Sequence, residues 1–145
     1  MDTAEQTLAL IAALAADPEA ASDPGTLVHA DELRTGRGRL RMFIGADHGA
    51  GISYFFVDNE PGQGPGLHRH PYSETWFVLA GEAEIRLGDR VFRAREGDTT
   101  TVRPGQWHGF TNVGEGRLRV LCIHASDRII QEWADEPGVL DIPTL

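Results

Sequence analysis

Apolar and polar positions follow two different periods along the chain. Near the N-terminus, Leu8, Ile11, Ala12 and Ala15 recur at three- and four-residue spacing and share one face of a helix. Asp2 or Thr3 is suited to cap it, with Glu5 or Gln6 three residues on. Asp17–Pro18 ends it, because the residue before a proline is disfavoured in the helical region. Asp17 to Gly25 is rich in turn formers and small residues and reads as a linker. From about Leu27 to Ser126 the period falls to two. RLRMFI, ISYFFVD, ETWFVLA, EAEIRL, RVFRA, DTTTVR and RLRVLCIH are short runs of β-formers separated by glycine, proline and aspartate. Gly88-Asp89 is the turn between two of them. Many short strands without intervening helices predict an all-β sandwich or barrel. In the tail, Ile129, Ile130 and Trp133 stand at helical spacing, which predicts a short helix or turn packed on the barrel exterior, and residues 135–145 read as irregular. The expected organisation is therefore a helix and linker over 1–25, a barrel over 26–126 and a packed tail over 127–145.

Composition narrows the chemistry. With 145 residues there is room for one domain with a real core. Acids outnumber bases 22 to 13, a net charge of −9, which argues against nucleic acid and anionic membrane surfaces as partners. All 13 bases are arginine. The absence of lysine removes Schiff-base chemistry, a lysine general base and a P-loop lysine. Cys122 is the single cysteine, so there is no intrachain disulfide and no thiolate-rich zinc site. The apolar run Leu8–Ala16 is too short to span a membrane, and the acidic residues before it are wrong for a secretory leader. These features together suggest the cytoplasm. What remains for chemistry is six histidines, the carboxylates and the arginines.

Two segments organise the histidines. In the first, His68 and His70 are two apart, so on a strand both rings leave the same face. Pro71-Tyr72-Ser73 then turns the chain, and Glu74 opens the next strand toward the same side. In the second, Pro104-Gly105 forms a turn that brings His108 alongside. Three imidazoles and a carboxylate converging in a barrel make a ligand set for a divalent transition metal, with positions left open for substrate or dioxygen.

These segments resemble the two motifs of the cupin superfamily. The first motif is matched at Gly62, His68, His70, Glu74 and Gly81, and the second at Gly97, Gly105, His108 and Asn112. One position departs: the motif's proline falls on Arg103, with Pro104 next to Gly105. The resemblance covers roughly Ile52 to Ala125. It implies a single β-barrel of the double-stranded β-helix (jelly-roll) type, with His68, His70, Glu74 and His108 as ligands of one divalent ion of iron, manganese, nickel, zinc or copper. It also implies a homodimer. The ligand set is similar to that of quercetinase-like dioxygenases, and to that of cupin cyclases and isomerases.

Strand alternation from these ligands suggests a pocket. Trp76 follows Glu74 inward and Phe110 follows His108. Leu118, Val120, Cys122 and His124 share a face, which makes His124 the candidate acid/base and Cys122 an inert core thiol. Tyr54 and Phe56 are expected to line the same cavity, whereas His29 and His48 lie in turn-like segments and are read as exposed bystanders. The expected function is a metal-dependent enzyme acting on a small organic molecule, phenolic or polyketide-like, as a dioxygenase. The alternatives are a cyclase or isomerase, or a cupin that binds metal or a small molecule without turnover.

Overall fold

The computed structural model describes residues 2–135 and 139–142. Helix α1 (Thr3–Ala15) begins at a reciprocal cap: the Asp2 carboxylate accepts the Glu5 N–H at 2.8 Å, and the Glu5 carboxylate accepts the Asp2 N–H at 3.0 Å. None of its side chains is buried. The expected linker contains a second short helix, α2 (Pro18–Ser22). Asp17-Pro18 ends the first helix and starts this one, with the Asp17 carboxylate capping and Pro18 in the first turn, where no N–H is required. Among the described residues no helix is long and apolar enough to cross a membrane.

All seven runs read as strands in the sequence form strands. They are β1 (Arg41–Phe43), β2 (Ser53–Asn59), β4 (Glu74–Ala80), β5 (Glu82–Leu87), β6 (Arg90–Arg95), β7 (Thr99–Val102) and β9 (Leu118–His124). Between them lie β3 (His68–Arg69) and β8 (His108–Asn112), and after them β10 (Ile129–Trp133) and β11 (Val139–Ile142). They form two antiparallel sheets, one ordered β1-β2-β9-β4-β7 and the other β11-β10-β3-β8-β5-β6. Alternation along each strand points one set of residues between the sheets. Trp76 and Val78 from β4, Leu118, Val120 and Cys122 from β9, and Ala83, Ile85 and Phe110 from the facing sheet are each at most 4% exposed. Two glycines allow the connections. Gly88, at φ +58°, turns β5 into β6 in two residues. Gly81, at φ +91°, lies so close to β9 that a Cβ there would fall 2.5 Å from the Arg117 carbonyl oxygen.

Two expectations are corrected. The tail is not helical: Ile129–Trp133 is strand β10, which pairs with β3 on one side and β11 on the other. The six-stranded sheet therefore runs past the expected boundary at 126, and part of the segment expected to be irregular is β11. Over five residues the helical spacing of Ile129, Ile130 and Trp133 does not exclude an alternation of Ile129, Gln131 and Trp133, and the β-branched pair Ile129-Ile130 favours the strand. The second correction concerns β2. Its register pairs Phe55 with the inward Cys122, and Tyr54 and Phe56 with Ile123 and Leu121 on the opposite face. Tyr54 stacks on Phe43 outside the barrel, Phe56 lies under the Arg41 and Arg119 guanidiniums, and Phe55 and Val57 line the cavity instead.

Candidate metal centre

The turn at 71–73 and the pairing of β3 with β8 bring four side chains to one end of the barrel interior. His68 on β3 stands directly opposite His108 at the start of β8. His70 follows β3, and Glu74 opens β4 across from His124 at the end of β9. The potential ligand atoms of His68, His70, Glu74 and His108 all lie within 4.8 Å of one another, and each residue is at most 6% exposed. Such a cluster can hold a metal ion.

Backbone carbonyls set the tautomers of the three rings. Nδ1 of His68 lies 2.7 Å from the Gly66 carbonyl, Nδ1 of His70 lies 2.8 Å from that of Ile130, and Nδ1 of His108 lies 2.7 Å from that of Gln106. A carbonyl only accepts, so in each neutral ring the proton sits on Nδ1 and the lone pair on Nε2. Nε2 of His70 and of His108 approach Oε1 of Glu74 at 3.1 and 3.0 Å. Lone pairs facing a carboxylate oxygen at that distance repel unless a cation lies among them, so the donor set fits a divalent metal.

The electrostatics agree. Burial pushes the Glu74 carboxyl up, but its contacts to His108, His124 and His70 together outweigh this and hold it well below the usual carboxylate range. Burial, helped by the neighbouring His108, lowers His68 from 6.5 to about 4, against the opposing pull of the Gly66 carbonyl and Glu74. His68 is therefore a neutral ring with a free lone pair near pH 7. Burial, then the Glu74 charge, pushes the Cys122 thiol well up, which suits a core thiol and not a nucleophile.

The site opens on a cavity of about 360 Å³. Trp76, Phe110 and His124 line it as expected, with Phe55, Val57, Leu40, Met42 and Trp133. Of the bystanders, His29 is exposed, whereas His48 is half-buried and stacks on Phe43 at 4.9 Å. Arg103 is exposed and does not line the cavity. Asn112 stabilises its turn, donating to the Asn59 and Gly116 carbonyls and accepting from the Gly114 N–H.

Sequence reasoning missed three contributors and a second role for Trp76. Trp76 is more than wall: its indole N–H donates to Oε2 of Glu74 at 2.8 Å. The Tyr72 hydroxyl lies 2.8 Å from Nδ1 of His124 and accepts the Ile130 N–H at 3.1 Å. Trp133 lies against His68 with ring centroids 4.6 Å apart, and Gln131 also borders the cavity. Two-residue alternation in the tail was the signal for Gln131 and Trp133; no local signal marked Tyr72.

A family model of the cupin domain matches residues 55–124. An uncharacterised protein of Methanocaldococcus jannaschii is 33% identical over 57 residues, 39% of this chain and 46% of its own length. Among solved structures, a variant of Bacillus subtilis oxalate decarboxylase superposes with a TM-score of 0.62 at 22% identity, over 70% of this chain and 29% of the decarboxylase. A double-stranded β-helix protein of Klebsiella pneumoniae superposes with a TM-score of 0.58 at 24% identity, over 81% of this chain and 97% of its own. The two sheets, the two motifs and the match over 55–124 agree in making the chain similar to the cupin superfamily, and the fold is that of a double-stranded β-helix. It spans less than half of the Methanocaldococcus relative and under a third of the decarboxylase, and at these identities the structural likenesses establish the fold.

Proposed function

We propose that this cupin is a metal-dependent enzyme for a small, largely apolar organic molecule, acting as a dioxygenase on a phenolic or polyketide-like substrate. The observation that carries this reading is the buried three-histidine, one-glutamate cluster at the inner end of an apolar cavity of about 360 Å³. His68, His70, Glu74 and His108 would hold one divalent transition metal. When bound, the metal would supply Lewis acidity and open positions for substrate oxygen and dioxygen. A divalent ion is supported by the manganese(II) centres of oxalate decarboxylase, a protein of the same fold.

The chain's own residues supply the rest. The carbonyls of Gly66, Ile130 and Gln106 hold the three rings, and the Trp76 N–H holds Oε2 of Glu74 so that Oε1 faces His70 and His108. Phe110 and Trp133 offer apolar surface to a flat ring and exclude water. Among the described residues lining the cavity there is no arginine, so a small dianion such as oxalate would have the metal alone as counter-charge, and the decarboxylase's substrate is not carried over.

A second reading, a cyclase or isomerase, is favoured by His124. The Tyr72 hydroxyl accepts from Ile130 and turns its own proton to Nδ1 of His124, which leaves the ring proton on Nε2, 3.2 Å from Oε2 of Glu74. His124 thus directs a ring proton at Glu74 where His70 and His108 direct lone pairs, and its ring borders the cavity, which supports reading it as the acid/base group. Metal analysis followed by oxygen-uptake assays with a phenolic panel tests the first reading. Turnover with oxygen consumption that disappears in His70→Ala is the expected result. Turnover without oxygen uptake that disappears in His124→Phe would favour the second reading, and stoichiometric metal without any turnover would leave a binding protein. A protein that takes up no iron, manganese, nickel, zinc or copper would refute both enzyme readings.

A further inference from the structure

We infer that Gln131 is a substrate-orienting residue, which selects molecules carrying a neutral hydroxyl or carbonyl group over those lacking one. This rests on the reading of the cavity as a substrate site, and it names the class of substrate that site takes. Gln131 stands on β10 between Ile129, which is fully buried, and Trp133, which lies on His68. It is itself only 7% exposed and borders the cavity. Its carboxamide makes no hydrogen bond to any described residue. Its polar atoms are not among the side-chain atoms closed off from solvent, so the amide is offered to the cavity without a protein partner. Such a group is retained where a ligand supplies the missing partner, as a site built to hydrogen-bond a substrate discriminates against analogues that lack the bond.

The surroundings fix what that partner is. Leu40, Met42, Phe55, Val57 and Phe110 make the remaining wall mostly apolar, so the body of the ligand is apolar. No arginine is among the described residues lining the cavity, so in the metal-free protein a carboxylate would be buried there without a counter-ion. A neutral oxygen function can both donate to and accept from the amide. Of the other polar side chains on the wall, Thr35 is on an exposed residue, His68 is a candidate metal ligand, and Trp76 and His124 are directed at Glu74, so Gln131 is the amide left to meet a ligand.

The test uses three probes with one apolar body: 2-naphthol, naphthalene and 2-naphthoate. Their binding to wild type and to Gln131→Met, each metal-loaded and metal-free, is measured by equilibrium dialysis, with the thermal midpoint recorded for each protein. The metal-free wild type is expected to take 2-naphthol about fivefold or more tightly than naphthalene, and 2-naphthoate, a charge buried without a counter-ion, most weakly. In Gln131→Met the preference for 2-naphthol should vanish while naphthalene affinity stays the same. The midpoint should hold or rise, because methionine matches the shape and removes an unpartnered amide. Equal affinities for naphthol and naphthalene in the wild type would overturn the inference. So would a preference surviving in metal-free Gln131→Met, no binding of any probe, or a lowered midpoint with all affinities reduced together. The amide's hydrogen bond does not need the metal. A naphthol preference in metal-free protein that takes up no metal would therefore uphold Gln131 while refuting the metalloenzyme reading.

Discussion

The indole N–H of Trp76 donates to Oε2 of Glu74 at 2.8 Å, and the two residues lie two apart on the same strand. The contact divides the carboxylate: Oε2 is held by the indole, and Oε1 is presented to His70 and His108. Trp76→Phe keeps most of the buried apolar volume and deletes this donor. Loss of such a supporting hydrogen bond costs about 10- to 100-fold in metal affinity. The expected outcome is that loss, measured by competition with a chelator, with a smaller change in the stability of the metal-free protein. Unchanged metal affinity would show that Trp76 only fills space.

Replacing Glu74 itself separates metal binding from packing. Without metal, a neutral His70 or His108 ring turns its Nε2 lone pair on the carboxylate, so Glu74 is a good partner for these rings only with a cation or a proton between them. Glu74→Gln keeps the shape and offers an N–H in place of repulsion. The variant should therefore unfold at the same or a higher temperature than wild type without metal, and should lose the stabilisation that metal confers. At metal concentrations 100-fold above Kd that stabilisation is about 2.7 kcal/mol for wild type. Thermal melts with and without added metal check both halves. A variant much less stable when metal-free would make Glu74 a structural hub.

The pH dependence of the metal-free fold follows from His68. Its pKa falls from 6.5 in the unfolded chain to about 4 in the fold. Above pH 6.5 the ring is neutral in both states and adds no slope. As pH falls from 6.5 to 4, the unfolded chain binds a proton that the fold refuses, so stability drops, by about 3 kcal/mol in total. Urea unfolding of chelator-treated protein at pH 7.5 and pH 5 should show the loss, and His68→Asn should flatten the upper part of the slope. A wild-type stability that stays level over this range would refute it.

The metal-centre residues were legible because their spacing is local. His68, His70 and Glu74 lie within seven positions, and the glycines flanking them serve turns that a sequence announces. The ring tautomers were not legible, because the carbonyl that holds His70 belongs to Ile130, 60 residues away, on a strand that reads equally well as a helical turn. The cavity wall failed in a different way. Tyr54, Phe55, Phe56 and Val57 are four consecutive apolar or aromatic residues, so alternation has no polar position to fix its phase. Only the pairing of Phe55 with Cys122 decides which ring turns inward. His124, by contrast, was placed by the arginines at 117 and 119, whose charge kept the other face of β9 in water.

That pairing makes adjacent phenylalanines a matched test. Phe55 lines the cavity and meets His124 edge-on, with centroids 5.5 Å apart. Phe56 lies outside, with the Arg119 and Arg41 guanidiniums 5.0 and 5.7 Å from its ring centre. Phe55→Ala should enlarge the cavity and free the His124 ring. Probe affinity and turnover should then fall, together with about 3 kcal/mol of stability, the usual cost of a truncated core aromatic. Phe56→Ala removes two exposed-face cation–π contacts, each about 0.5–1 kcal/mol, and leaves the cavity unchanged. It should lower the thermal midpoint modestly with unaltered probe affinity. The reverse pattern, binding lost in Phe56→Ala and kept in Phe55→Ala, would mean that β2 pairs with β9 one residue out of this register.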